Sequence, residues 1–240
     1  MKTITLILIT LVSIYSYGQD EEKQPDYKNE FAGGININTN GGILGGAFLR
    51  YSYRYEEKSY STFLLEVVNI KHNKEERFSS PITGNSFING KINYLISIRP
   101  QYVYERLLFS KYERNGVELR GIVGGGPSIG LEKPYFIRLQ TGLGVNDVEV
   151  VPYDPAVHSP SSISGSASFF NGFDQIDVIL GLNARLGLNL EYGRYTGTVN
   201  GLEIGWQVEA FSRSIPLFPV ESRSQVFNSL YLNIYFGTRY

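Results

Sequence analysis

Residues 176–192 read I-D-V-I-L-G-L-N-A-R-L-G-L-N-L-E-Y, and their spacing decides the fold class. The even positions run Ile176, Val178, Leu180, Leu182, Ala184, Leu186, Leu188, Leu190 and Tyr192. The odd positions carry Asp177, Ile179, Gly181, Asn183, Arg185, Gly187, Asn189 and Glu191, polar or small but for Ile179. Side chains alternate faces along a strand, so one face here is apolar throughout and the other is polar or small. Strands of soluble sandwiches run about 5–6 residues. Full alternation over a run this long fits a strand that crosses a bilayer, which needs about 9–11 residues.

The same period recurs along the chain. Leu202, Ile204, Trp206, Val208 and Ala210 oppose Glu203, Gly205, Gln207 and Glu209. Leu230, Leu232, Ile234 and Phe236 oppose Ser229, Tyr231, Asn233 and Tyr235. Comparable segments lie at Phe31–Ile37, Ile43–Tyr55, Ile92–Tyr104 and Val117–Leu131. Between Tyr60 and His72 the pattern breaks at Phe63-Leu64-Leu65 and Val67-Val68, which reads as a bulge. These segments predict an all-β fold, an antiparallel transmembrane β-barrel of about eight strands with long extracellular loops. A ten-stranded closure stays open, with Pro134–Gln140 as an added strand.

Parity of the connections agrees with a periplasmic N-terminus. The longer connections, near 73–87, 132–173 and 214–225, then fall outside, and 56–59, 105–116 and 193–198 fall inside. The first outer turn is a tight hairpin at Asn40-Gly41. Tyr51, Tyr53, Tyr55, Tyr102, Tyr104, Tyr192 and Tyr240 collect at the inner ends of downward strands, the place of a periplasmic aromatic girdle.

Residues 1–18 form a secretory signal: Met1-Lys2, the apolar Ile4–Ile14, and Tyr17-Gly18 before Gln19. Residues 19–29 then form a periplasmic N-terminal segment and 30–240 the barrel, so the expected location is the bacterial outer membrane after Sec-type cleavage. The 240 residues hold 22 Lys+Arg against 23 Asp+Glu, a net charge of -1, which argues against nucleic acid as a partner. Cys is absent, which excludes disulfides, thiolate metal sites, cysteine catalysis and lipid acylation. With 26 Gly, 18 Tyr and 14 Phe, the composition favours strands over helices.

Charges of both signs fall on the inward face. Arg50, Arg99, Arg120 and Arg185 stand against Glu118, Asp177, Glu191, Glu203 and Glu209, with Arg54 and Lys91 on the same parity. Eight strands enclose an interior that side chains just fill, so these groups are expected to form a paired plug; an ion or proton path is the competing reading. The run Gly124-Gly125-Gly126-Pro127-Ser128-Ile129-Gly130 lacks a Gly-Lys-Ser/Thr ending and opens no helix, so it is no phosphate loop. Its glycines are expected to make room for large inward side chains, the arginines among them.

The histidines, His72 and His158, both fall in outer loops. His158 near Asp154 and Ser159 is the one combination that suggests a rim hydrolase, and a solvated loop histidine accounts for it as well. No metal spacing and no cofactor motif is present. The loop of about forty residues from Glu132 to Phe173 is long enough to be functional or disordered. Tyr153, Asp154, His158, Phe169 and Phe170 are its candidate partner contacts, with Phe169, Phe170 and Phe173 as apolar anchors.

Three segments carry a resemblance: Tyr17-Gly18 before Gln19, the run Gly34–Gly41, and Gly124–Tyr135. The alternating Leu230–Tyr240, closing on an aromatic, adds a fourth. Together the chain resembles small outer-membrane β-barrel proteins of Bacteroidota, of the OmpA/OmpX kind without a periplasmic domain. The resemblance implies a non-enzymatic barrel in contact with outer-membrane lipid, inserted by the barrel-assembly machinery, which reads such a terminal strand. It further implies an accessory or structural subunit of an envelope complex for outer-membrane protein assembly or secretion. A small pore or ligand transporter and a rim-active hydrolase are the alternatives.

Overall fold

The computed structural model describes residues 28–72, 75–111, 116–142, 144, 147–192, 197–219 and 223–240. Residues 1–18, expected to be a secretory signal, and 19–27 of the segment after it lie outside the described residues. Eight strands close into a barrel: β1 (Asn29–Asn38), β2 (Gly42–Glu56), β3 (Ser59–Ile70), β6 (Asn93–Phe109), β7 (Val117–Pro134), β11 (Asp177–Tyr192), β12 (Thr198–Pro216) and β13 (Arg223–Arg239). Each pairs antiparallel with its neighbour in the ring, and β1 closes on β13 from Glu30↔Arg239 to Asn38↔Tyr231. The start of β1 meets the C-terminal residue, with the Asn29 amide donating to the Tyr240 carbonyl at 3.0 Å.

The alternation read from the sequence becomes an inside and an outside. On β11, Ile179, Asn183, Arg185, Asn189 and Glu191 face inward, while Leu180, Leu182, Leu186 and Leu188 face out. β3 differs from expectation, because its register against β6 runs unbroken from Ser59↔Arg106 to Ile70↔Leu95. Its inward side mixes Tyr60, Thr62 and Glu66 with the apolar Leu64, Val68 and Ile70. A partly apolar interior thus mimics a bulge in the sequence. Register shifts fall elsewhere, at 36/38, 54/56, 107/109 and 210/215.

The first hairpin turn is closed by Asn38, whose carboxamide oxygen accepts the amides of Asn40 at 3.0 Å and Gly41 at 2.5 Å. Gly42 rather than Gly41 takes the left-handed conformation, with φ of 84°.

The remaining strands stand outside the ring at the loop end, opposite the end where β1 starts and β13 finishes. β4 (Arg77–Ser79) and β5 (Ser86–Ile88) form a hairpin. β8 (Phe136–Gln140), β9 (Val148–Pro152) and β10 (Ile163–Ser166) form a three-stranded sheet in the order β10-β8-β9. The barrel therefore closes at eight strands. Of the segment 134–140, Pro134 ends β7 against Asn93 in the wall and 136–140 pair between β9 and β10 within the long loop.

Candidate functional site

The terminal half of the interior holds a charge network, interleaved with a small apolar cluster of Ala32, Phe48, Leu64, Val103, Ile122 and Val199. Arg120 on β7 reaches four carboxylates: Glu118 at 2.5 Å, Glu30 at 3.0 Å, and Glu105 and Glu191 at 3.4 Å each. Arg239 joins Glu30 at 3.0 Å and also pairs with Glu191, as does Lys111. Arg50 meets Glu105 at 2.5 Å, and Arg185 meets Glu203 at 2.8 Å. Higher up, Arg99 bridges Glu66 at 3.1 Å and Glu209 at 2.5 Å. Each of these side chains is at most 6% exposed, so charges this far from water depend on one another.

Tyrosines frame the cations. Arg120 lies 3.8 Å from the Tyr60 ring centre, Arg185 4.3 Å from Tyr231 and Arg50 4.7 Å from Tyr235. The Tyr231 hydroxyl donates to Glu203 at 2.8 Å, and that of Tyr235 to Asn189 at 2.7 Å. Inward glycines give these rings space. A Cβ at Gly201 would enter the Tyr235 ring, and one at Gly205 would stand 2.6 Å from the Tyr231 hydroxyl. Gly201 and Gly205 therefore accommodate tyrosines on which the arginines rest, whereas in the run 124–130 Gly130 makes room for Phe211, and Gly124 and Gly126 stand against the backbone of β6 rather than against an arginine.

Of the expected interior residues, the structure brings together Arg50, Arg99, Arg120, Arg185, Glu118, Glu191, Glu203 and Glu209 within this network. Asp177 does not belong to it. Its side chain is 69% exposed at the loop-end rim, where Arg213 pairs with it and with Glu132. Its parity is inward, but it stands on the last rung of β11, where the wall ends. Arg54 is half-buried, and Lys91 lies at the loop end with Glu75 at 2.6 Å. Burial pushes the Lys91 ammonium down, and the Glu75 carboxylate offsets part of that shift. Glu30, Glu66, Glu105, Lys111 and Arg239 are network members that sequence reading missed. Glu105 was assigned to a connection, but β6 continues to Phe109 and carries it inside. Its parity with Arg99 and Gln101 was the available signal.

Above Arg99 the interior turns apolar. Val68, Ile70, Leu95, Ile179, Phe211, Ile215, Leu217, Phe218 and Phe227 form one buried cluster across the loop end of the barrel. Loop backbone ties it down, since Ile92 donates to the Leu217 carbonyl at 2.9 Å. The His72 ring lies tilted against this cap, 5.0 Å from Phe218.

Over the cap, the long loop and the β4–β5 hairpin share a core: Phe87 of β5 with Tyr135, Ile137, Tyr153 and Ile163. Ser80 on the β4–β5 hairpin donates to the Ile163 carbonyl at 2.5 Å, linking the two loop sheets. Tyr153 is 3% exposed, so it is a core residue of this platform and offers no partner contact. Its hydroxyl accepts from Gly90 at 3.4 Å and donates to Asn89 at 2.8 Å. Burial pushes the hydroxyls of Tyr135 and Tyr153 up.

His158 stacks on Tyr153 at 6.2 Å, and its Nδ1 accepts the Asp154 amide at 3.1 Å. The Asp154 carboxylate accepts the Ala156 amide at 2.9 Å, and the Ser159 hydroxyl contacts that of Ser161 at 2.9 Å. These bonds staple a turn and do not line up a carboxylate, imidazole and hydroxyl in relay. Phe169 and Phe170 lie exposed with Phe173 on the outside of the barrel rim, so they anchor no loop core. Among the described residues no group of three or more His, Cys, Asp or Glu could hold a metal.

The barrel's exterior is apolar. Leu182 is 69% exposed, Leu180 64%, Leu230 62% and Phe63 61%. Toward the terminal end, Tyr51, Tyr53, Tyr55, Tyr102, Tyr192 and Tyr240 are exposed on the outer face, and Tyr104 is half-buried beside them. Tyr102 bonds Ser61 at 2.8 Å, and Tyr51 donates to Asn29 at 3.1 Å.

No family model and no curated protein matches the chain. Among solved structures it is similar to Neisserial surface protein A, at 12% identity and a TM-score of 0.37, over 89% of this chain and 96% of that one. It is also similar to Ail, the attachment invasion locus protein of Yersinia pestis, crystallised with the heparin analogue sucrose octasulfate. That match has 10% identity and a TM-score of 0.38, over 89% of this chain and 99% of that one. At this level of likeness nothing about the chain's activity follows.

Proposed function

We propose that this chain is a non-enzymatic outer-membrane barrel that acts as a structural or accessory subunit of an envelope complex. The observation that carries the membrane part is the inverted distribution of polarity. A folded protein in water does not bury charges in its centre and leave Leu180, Leu182 and Phe63 on its surface, whereas a barrel in lipid does so necessarily. With the terminal end in the periplasm, the tyrosines there meet the inner headgroups and the loop platform faces outward.

The subunit role draws its support from two features. The interior is filled by ion pairs and an apolar cap, which suits a scaffold better than a conduit. The platform has its own buried core and so presents a fixed surface, on which Asp154 and Val157 are exposed. The test is isolation of the tagged protein from its native membrane in mild detergent, followed by mass spectrometry. Stoichiometric envelope proteins are expected; a lone monomer across several detergents would refute the subunit role.

A further inference from the structure

Phe169, Phe170 and Phe173 form an aromatic cluster at the loop-end rim, 43%, 79% and 47% exposed, with ring centres 5.7–6.1 Å apart. They belong to the segment that returns from the platform to β11, yet they pack downward onto the wall. Phe169 meets Tyr94 of β6 edge-on at 5.4 Å. The Lys133 ammonium lies beneath the rings, 5.0 Å from Phe169, 5.7 Å from Phe173 and 4.8 Å from Tyr94. It also donates to the Asn171 carbonyl at 2.8 Å. The cluster is therefore held in place from below and bare above.

Its height is set by β6. The outward residues of that strand run Tyr94, Ile96, Ile98, Pro100, Tyr102 and Tyr104, apolar between tyrosines. Tyr94 to Tyr104 is ten residue steps, which at ~3.4 Å each and a tilt of ~40° gives about 26 Å across the membrane. That equals the apolar band of about 25 Å expected of such barrels, and it puts Tyr94 at the outer headgroup level if Tyr104 marks the inner one. The cluster also continues the exposed column Val178, Leu180 and Leu182 on β11, whose first member pairs with Leu131 one rung below Lys133.

We infer that Phe169, Phe170 and Phe173 are a lipid-binding foot, by which the long loop inserts into the headgroup region of the outer leaflet and fixes the platform to the membrane. The inference rests on the barrel spanning the membrane, and it reassigns Phe169 and Phe170 from protein contacts to lipid. An aromatic ring gains most where its apolar face meets acyl chains and its edge meets headgroups, so lipid is the occupant these rings fit.

The chain's one tryptophan, Trp206, is 46% exposed on the outward face of β12, partway along the apolar span, and serves as an internal control. Two single-tryptophan proteins are compared in phosphatidylcholine vesicles, the natural chain and Phe170→Trp combined with Trp206→Phe. The lipid is dibrominated either near the headgroup or near the methyl end of the acyl chain. Position 170 is expected to be quenched at least about twofold more by shallow than by deep bromines, with little quenching by iodide, and Trp206 to show the reverse depth preference.

If Trp206 is quenched by lipid while position 170 answers only to iodide, or to neither quencher, the foot is refuted and the membrane barrel stands. If neither position feels the brominated lipid, the membrane reading itself fails. Phe173→Trp in the same background supplies a second probe should the first variant not fold.

Discussion

In the terminal half of the barrel, Arg120 sits among four carboxylates, with the Tyr60 ring against it and Arg239 sharing two of its partners. At the loop end, Tyr135, Ile137, Tyr153 and Ile163 pack around one another with no ion pair among them. The two regions solve different problems. Inside the ring of eight strands a small apolar cluster around Phe48, Leu64, Val103 and Ile122 packs beside the charges, and charges paired across the lumen link strands that stand opposite one another. The platform is an ordinary small core, built on short strands and held by hydroxyl-to-backbone bonds. Between them the cluster around Phe211 and Leu217 separates the ionic interior from solvent. Buried pairs cost desolvation that their attraction must offset, so the ionic half should respond to the loss of one partner far more sharply than the platform does.

The largest expected effect comes from Arg120→Ala, which leaves Glu30, Glu105, Glu118 and Glu191 with fewer cations in a dry interior. A loss of about 3–5 kcal/mol should appear as a lower urea midpoint for the reconstituted barrel. A shift no larger than that of a surface substitution would mean that the network is not what holds this half together. Leu217→Ala in the apolar cap should cost about 2–4 kcal/mol by the same assay. Here the ionic half is expected to stay intact, with the Tyr231 and Tyr235 environments unchanged in near-ultraviolet absorption.

Tyr153→Phe removes the bonds to Gly90 and Asn89 and should cost about 1 kcal/mol. The comparison sharpens here, because hydrogen exchange should quicken at Gly90 and in β9 while the barrel's urea midpoint stays put. Raising pH probes the same separation more gently. The Tyr135 and Tyr153 hydroxyls are pushed up by burial in the folded chain, so their neutral form is favoured there. The stability they contribute is fully present below the unfolded tyrosine value of about 10 and is lost as pH rises from there through the folded value. Proteolysis of the loop segments should accordingly increase above about pH 10, ahead of any change in the barrel's strand content.

How much of this was legible depended on whether a strand's two faces differ in chemistry. β11 and β13 have apolar outsides and polar insides, and each was readable from its own residues. β3 was not, because Leu64, Val68 and Ile70 face inward opposite Phe63, Leu65 and Val67, so both faces look apolar. The eight-strand closure followed from counting alternating runs. Charged residues near strand ends were harder: Glu105 looked like part of a connection and Asp177 looked internal, since parity gives a face but not the height of the wall. Tyr153 was misjudged for a related reason. Its Pro-rich neighbourhood reads as solvated loop, and only the pairing of β8 with β9 and β10 creates the core that covers it.

The central claim is that the barrel's lumen is closed by paired charges toward the terminal end and by an apolar cap toward the loops, and therefore does not conduct. Single-channel recording of the purified protein in planar bilayers tests it most directly. The expected record shows no discrete current steps from the natural chain. Reproducible steps that change on replacing Arg185, whose guanidinium pairs with Glu203 in mid-lumen, would contradict it.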